Sequence, residues 1–221
     1  MQMILFDLDG TLLPMDQEAF TKAYFQRLAA KLAPYGYEPD KLIDGVWAGT
    51  AAMVKNDGGR TNEEAFWDRF AGLIGDRVLR DKPLFDEYYR REFQEVASVC
   101  GSNPKARETV DTLKGAGYRL ALATNPLFPA VATASLEPRD FELYTTYENT
   151  GYCKPNPAYY RDLLERLGCD AEDCLMVGND VEEDMVAGTV GMKVFLLTDC
   201  IINKQGKDIA SFPHGGFDEL L

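Results

Sequence analysis

Two aspartates two residues apart, Asp7 and Asp9, stand where the short apolar run Met3-Ile4-Leu5-Phe6 gives out. A continuous apolar run closed by a glycine turn, here at Gly10, predicts a buried strand. Residues i and i+2 of extended chain point the same way, so both carboxyls address one site. Carboxylates that close resist double ionisation unless a cation or a shared proton intervenes. Two further apolar runs end in polar residues: 118–123 before Thr124-Asn125, and 174–177 before Gly178-Asn179-Asp180. Ligands of open α/β sheets bind beyond the carboxyl ends of the strands, so the three ends are read as one site. Oxygen donors gathered there suit magnesium, a hard cation that retains some of its waters.

The elements that must position these residues fall into two blocks. From 16 to 99 the pattern is helical, with predicted helices over about 16–33, 40–55, 61–75 and 83–99. Thr61-Asn62-Glu63-Glu64 reads as a capping box opening the third of them. The break at Asn56-Asp57-Gly58-Gly59 precedes Arg60, which is read as a substrate contact on a mobile loop, with Lys22 and Lys55 as other cationic candidates. From 103 helices and strands alternate: helix 103–115, strand 118–123, helix 129–136, strand 143–147, helix 156–167, strand 174–177, helix 182–187 and strand 193–197. Alternation with short connections predicts a doubly wound parallel sheet covered on both faces. The tail from Thr198 carries no clear element, and the single histidine, His214, reads as a loop residue. The expected division is a Rossmann-like core over 1–15 and 100–221 with an inserted all-helical cap over 16–99.

The stretch Phe6-Asp7-Leu8-Asp9-Gly10-Thr11-Leu12 resembles the first signature of the haloacid dehalogenase superfamily, most of whose members are magnesium-dependent phosphatases. Ala123-Thr124-Asn125, Lys154-Pro155 and Gly178-Asn179-Asp180 through Asp184 resemble its remaining signatures, in order. The likeness, with its helical insert, is to the type-1-capped, phosphoglycolate-phosphatase-like branch. It implies hydrolysis of a small phosphomonoester through an aspartyl-phosphate. Asp7 is then the nucleophile and Asp9 the acid and base. Thr124 and Asn125 bind the phosphoryl group, and Lys154 binds it and stabilises the charge that builds on it. Asp7, the Asp9 carbonyl and Asp180 hold the metal. Relatives commonly have Gly-Asp at the last signature, so Asn179 is the alternative ligand; Asp180 is preferred because an anion holds magnesium better. Asp184 supports the metal site from one layer out, orienting it or pairing with Lys154; the alternative is a carboxylate serving a helix dipole beside Glu182 and Glu183.

Three rival readings remain at this stage. A sugar phosphomutase of the same superfamily also keeps the second aspartate. A metal-free dehalogenase has no need of Asp9. A binding or regulatory protein that retains the fold does not need the full residue set.

The chain has 221 residues and a formal net charge of −13. That balance argues against nucleic acid and anionic membrane partners, both of which want basic patches. No protein partner is readable, and the expected ligand is a small phosphorylated metabolite. Five cysteines without a CxxC pair suit reduced thiols, with Cys153 singled out because it adjoins Lys154. No charged leader and no run of 18 or more apolar residues is visible, so a cytoplasmic location is expected.

Overall fold

The computed structural model describes residues 2–101, 103–125 and 136–221. The helix expected over 129–136 falls almost wholly outside them. Six parallel strands form one sheet: β1 (Met3–Phe6), β2 (Arg119–Leu122), β3 (Leu143–Tyr144), β4 (Cys174–Gly178), β5 (Lys193–Leu197) and β6 (His214–Gly215). Their order is β3-β2-β1-β4-β5-β6, so β1 is central and β4 lies on its other side from β2. Met3 is level with Arg119 of β2 and with Cys174 of β4.

All four residues of β1 are buried, because alternate side chains enter different cores. Ile4 and Phe6 pack with Ala106, Val110 and Leu113 of α6 (Pro104–Gly115). Met3 and Leu5 pack with Tyr159, Tyr160, Leu163 and Leu167 of α7 (Pro157–Leu167). A sheet covered on both faces needs continuous apolar strands, which is why β1 reads as a run and not an alternation.

Between β1 and α6 the described chain is helical: α1 (Gln17–Leu32), α2 (Pro39–Val54), α3 (Asn62–Ile74), α4 (Arg77–Arg80), α5 (Lys82–Arg90) and a 3-10 helix over Glu92–Val99. The capping box is present, with the Thr61 hydroxyl accepting the Glu64 amide and the Glu64 carboxylate accepting the Thr61 amide. The block leaves and rejoins the rest of the chain at one place. Met15 and Cys100 form an antiparallel bridge, and the Gly101 amide donates to the Pro14 carbonyl at 2.7 Å. The amino end of α3 also touches the loop after β3, through Asn62 N to Thr150 O and Glu63 N to Tyr147 O, both 2.8 Å.

Four expectations need correction. The helix expected over 83–99 is α5 followed by a 3-10 segment, in which buried Phe93 and Val96 lie three apart, the repeat of that tighter helix. The helix expected over 182–187 is a turn followed by a 3-10 helix over Met185–Val190. There Asp180 Oδ1 accepts the amides of Glu182 and Glu183 as an N-cap side chain does. The strand expected over 143–147 is only β3, two residues long. The tail is not featureless: His214 lies in β6 beside Leu196, and α8 (Phe217–Leu220) closes the chain.

Candidate active site

Asp7 follows β1 directly and its amide still bonds the Val177 carbonyl of β4 at 2.9 Å, so its backbone is fixed by the sheet. The chain then turns through Gly10, whose φ of +83° lies in the left-handed region that suits glycine. A Cβ there would also overlap the Asn179 side chain. This close approach brings the end of β1 against the end of β4, where the strand order reverses.

Lys154 Nζ lies 2.7 Å from Asp7 Oδ1 and 2.6 Å from Asp184 Oδ1. The lysine is 2% exposed and Asp184 is fully buried. Burial alone would drive the proton off the ammonium, but Asp184 and Asp7 outweigh it and hold the Lys154 pKa above its ordinary value. Asp184 turns its other oxygen to the Asp180 amide at 3.0 Å.

Asn125 grips the Lys154 backbone in both directions, its Oδ1 accepting the Lys154 amide at 2.7 Å and its Nδ2 donating to the Lys154 carbonyl at 3.1 Å. The second proton of that Nδ2 goes to Glu183 Oε2 at 2.8 Å. Thr124 is fixed through its backbone: its amide donates to the Thr145 hydroxyl at 3.0 Å and its carbonyl accepts from the Tyr159 hydroxyl at 3.0 Å. Its own hydroxyl has no partner among the described hydrogen bonds and borders the cavity.

The cavity has a volume of about 350 Å³. Asp7, Asp9, Thr124, Asn125, Lys154, Asn179, Asp180 and Asp184 all line it. Arg60 does not. It lines a separate cleft with Lys55 and Arg69 and pairs with Asp68 at 3.1 Å. Its loop is held down, since Asn56 Nδ2 donates to the Arg60 carbonyl at 2.8 Å and a Cβ on Gly58 would overlap the Tyr152 ring. Lys22 lies exposed on α1 and outside the cavity lining. Burial pushes the Asp9 carboxyl up to about 7, the Asp7 charge adding to this and Lys154 opposing it. Burial also pushes the Cys153 thiol up to about 12, which leaves it protonated and unreactive beside Lys154.

Oxygen donors are arranged unequally around the end of β4. Both ends of the Asn179 amide are engaged, Oδ1 by the Thr11 hydroxyl at 2.9 Å and Nδ2 by the Cys200 carbonyl at 2.7 Å. Asp180 accepts two amides at one oxygen and has its other oxygen without a hydrogen bond among those described. No three Asp, Glu, His or Cys side chains form a ready-made metal cluster among the described residues. Two carboxylates with a backbone carbonyl remain a hard-oxygen set that fits a cation keeping part of its water shell.

Thr11, Glu183 and Lys204 also belong to the site, although their sequence context does not single them out. Thr11 touches Asn179 and, at 3.3 Å, Asp7. Lys204 arrives because the backbone of residues 179–181 pairs with Ile202, Ile202 N donating to the Asn179 carbonyl at 2.8 Å. The only sequence signal for Thr11 was its place beside the two aspartates; Lys204 had none.

Residues 1–190 match the family described as haloacid dehalogenase-like hydrolase. A ribulose-1,5-bisphosphate 5-phosphatase from Halopiger xanaduensis is 29% identical, the match covering 87% of this chain and 83% of that protein. A phosphoglycolate phosphatase from Agrobacterium fabrum is 28% identical over 83% of this chain and 74% of its own length. Among solved structures, a phosphatase of this family from Thermococcus onnurineus superposes with a TM-score of 0.60 at 21% identity, covering 100% of this chain and 96% of that one. A 2-haloacid dehalogenase from Pseudomonas syringae shares the fold with a TM-score of 0.59 at 23% identity, over 94% of this chain and 89% of its own. The chain belongs to the haloacid dehalogenase-like hydrolase family and is an enzyme of its phosphatase class. No helix among the described residues is long and apolar enough to cross a membrane.

Proposed function

We propose that this protein hydrolyses a small phosphomonoester through a phosphorylated Asp7, in the presence of magnesium. The observation that carries the reading is the buried Lys154 placed between Asp7 and Asp184 at the wall of a cavity that also holds Asp9.

In the first step an Asp7 oxygen attacks phosphorus and the bond from phosphorus to the leaving oxygen breaks. Asp9 delivers a proton to that oxygen, so the alcohol departs neutral. In the second step Asp9 takes a proton from water, the water oxygen attacks phosphorus, and the bond to Asp7 breaks. Inorganic phosphate leaves and both carboxyls return to their starting states. A side chain poised near neutral pH serves both as donor and as acceptor, which is the use of an Asp9 carboxyl raised by burial. Lys154 holds a fixed positive charge where negative charge accumulates on the phosphoryl oxygens. The Thr124 hydroxyl donates to one of those oxygens. Asn125, with its amide fully engaged, acts by fixing the Lys154 backbone.

Asp7, the Asp9 carbonyl and Asp180 would hold the magnesium, while Asn179, both ends of its amide engaged, serves the turn around them. The metal, when bound, neutralises charge on the aspartates and on the phosphoryl group. The segment 16–99 acts as a cap on the core formed by 1–15 and 100–221. The paired crossover at Pro14-Met15 and Cys100-Gly101 supports that division, since the insert joins the core there through two adjacent strands of chain.

The test is phosphate release from a generic aryl phosphate with magnesium and with EDTA, together with acid quenching on phosphorus-labelled substrate. Release that stops in EDTA, with hydroxylamine-labile label on the protein that Asp7→Asn abolishes, supports the reading. Turnover unaffected by chelation, or label that persists in Asp7→Asn, defeats it.

A further inference from the structure

The phosphatase reading leaves the leaving group unnamed, and the wall that the helical block gives the cavity bears on it. That wall comes from α1 and α2. Phe20 and Phe25 of α1 and Trp47 and Val54 of α2 line it, with Thr21 and Thr50 between them. Phe25 and Trp47 meet edge to face, with ring centroids 5.4 Å apart. Two of these side chains are open to the cavity and solvent, Trp47 at 49% and Val54 at 44% exposed. Large apolar side chains left exposed within a concave, otherwise polar site are uncovered surface of the kind that ligands cover.

The charge around the same cavity points the same way. Five acids line it (Asp7, Asp9, Asp180, Glu183, Asp184) against two lysines, Lys154 and Lys204. Lys154 is committed to Asp7 and Asp184. Lys204 stands beside Glu182, whose carboxylate accepts the amides of Lys204 and Gln205, and beside Glu183, on which it exerts an electrostatic pull. No lysine, arginine or histidine of the described helical block lines the cavity, and residues 126–135 contain none in their sequence. A second anionic group on the substrate, seated against α1 and α2, would meet aromatic and aliphatic side chains and no cation.

The geometry points to a phosphomonoester whose leaving group is uncharged and carries an apolar or aromatic face, seated against Trp47 and Phe25. This rests on the phosphatase reading above. It gives that site a preference against bisphosphates and phosphorylated carboxylic acids.

The experiment compares three alkyl phosphates with leaving alcohols of similar basicity: benzyl phosphate, 2-hydroxyethyl phosphate and carboxymethyl phosphate. The proposal expects kcat/KM to fall in that order, benzyl exceeding carboxymethyl by about tenfold or more. Trp47→Ala is expected to lower kcat/KM for benzyl phosphate by about three- to tenfold through KM, and to lower it for 2-hydroxyethyl phosphate by a smaller factor. Trp47→Phe, which keeps a ring, is expected to recover most of that loss. Carboxymethyl phosphate turned over as well as benzyl phosphate overturns the inference while leaving the phosphatase reading intact. So does a Trp47→Ala loss equal for all three, or a carboxymethyl activity that Lys204→Ala removes. No release from any of the three overturns the phosphatase reading itself, and this inference with it.

Discussion

Lys154 Nζ and Asp7 Oδ1 lie 2.7 Å apart across 147 positions of sequence, both residues buried. Asp184 completes the group on the other side of the ammonium. Removing one member of a buried charged set strands the rest, which typically costs about 3–5 kcal/mol. Lys154→Met is therefore expected to lower the unfolding free energy by about that amount and to abolish phosphate release. Adding Asp184→Asn to Lys154→Met should recover part of the stability and none of the activity. Urea unfolding of the two variants checks this, and a single variant as stable as the parent would contradict it.

The two aspartates of the first turn are expected to fail differently. Asp7→Asn removes the attacking oxygen's charge and should leave no turnover of any ester. Asp9→Asn should slow hydrolysis by about 10²–10⁴, and by less for aryl phosphates, whose leaving groups need little protonation. Equal losses on aryl and alkyl esters would show that Asp9 is not the proton donor.

At the end of β4 the neighbouring residues are expected to divide their work. Asp180→Asn should raise the magnesium concentration needed for half-maximal rate by about tenfold or more, since an anionic ligand is replaced by a neutral one. Asn179→Ala should lower the melting temperature, because Thr11 and the Cys200 carbonyl lose their buried partner. Its magnesium requirement should change little. A magnesium titration of both variants decides the matter, and the reverse pattern would make Asn179 the ligand.

Arg60 and Asp68 form an exposed pair away from the cavity, and such pairs contribute about 0–1 kcal/mol. Arg60→Ala is expected to leave KM and kcat unchanged for benzyl and aryl phosphates alike. A several-fold rise in KM confined to one of them would return Arg60 to the substrate.

Asp140 provides the clearest pH dependence of stability. Burial pushes its carboxyl up, but hydrogen bonds from Arg107, the Glu137 amide and Lys114 outweigh this and hold it well below the usual carboxylate range. A carboxyl depressed by folding stabilises the native state fully above its unfolded value, about 3.9, and loses that contribution as pH falls towards the folded value. Asp140→Asn should accordingly destabilise the protein at pH 7, by about 1–3 kcal/mol. The gap between variant and parent should begin to narrow as pH falls below about 4 and keep narrowing in stronger acid. Thermal melts at pH 7 and pH 3 check the sign, and a gap that widens in acid would contradict it.

The sequence by itself determined the strands that are buried on both faces and the ends at which the polar residues sit. β1 and β5 have the predicted bounds, and β2 and β4 fall within a residue or so of them, because their buried positions form nearly continuous apolar runs, with a charged residue only at the open starts of β2 (Arg119) and β5 (Lys193). The capping box at Thr61 was equally legible, since it joins residues three apart and needs nothing distant. The carboxylates, Thr124 and Lys154 could be named in advance because each follows a local pattern. Tertiary structure alone decided what touches what. That Lys154 is shared by Asp7 and Asp184, that Asn125 is spent on the lysine's backbone, and that Arg60 faces another cleft all depend on segments far apart in sequence. β6 and Lys204 were illegible for the same reason. A two-residue strand exists only through its partner β5, and the Lys204 loop reaches the site only because Ile202 pairs with the backbone around Asp180. Local patterns encode which face a residue shows and which amide it caps, whereas proximity is fixed by how the sheet and helices pack, and a single sequence states that nowhere along its length.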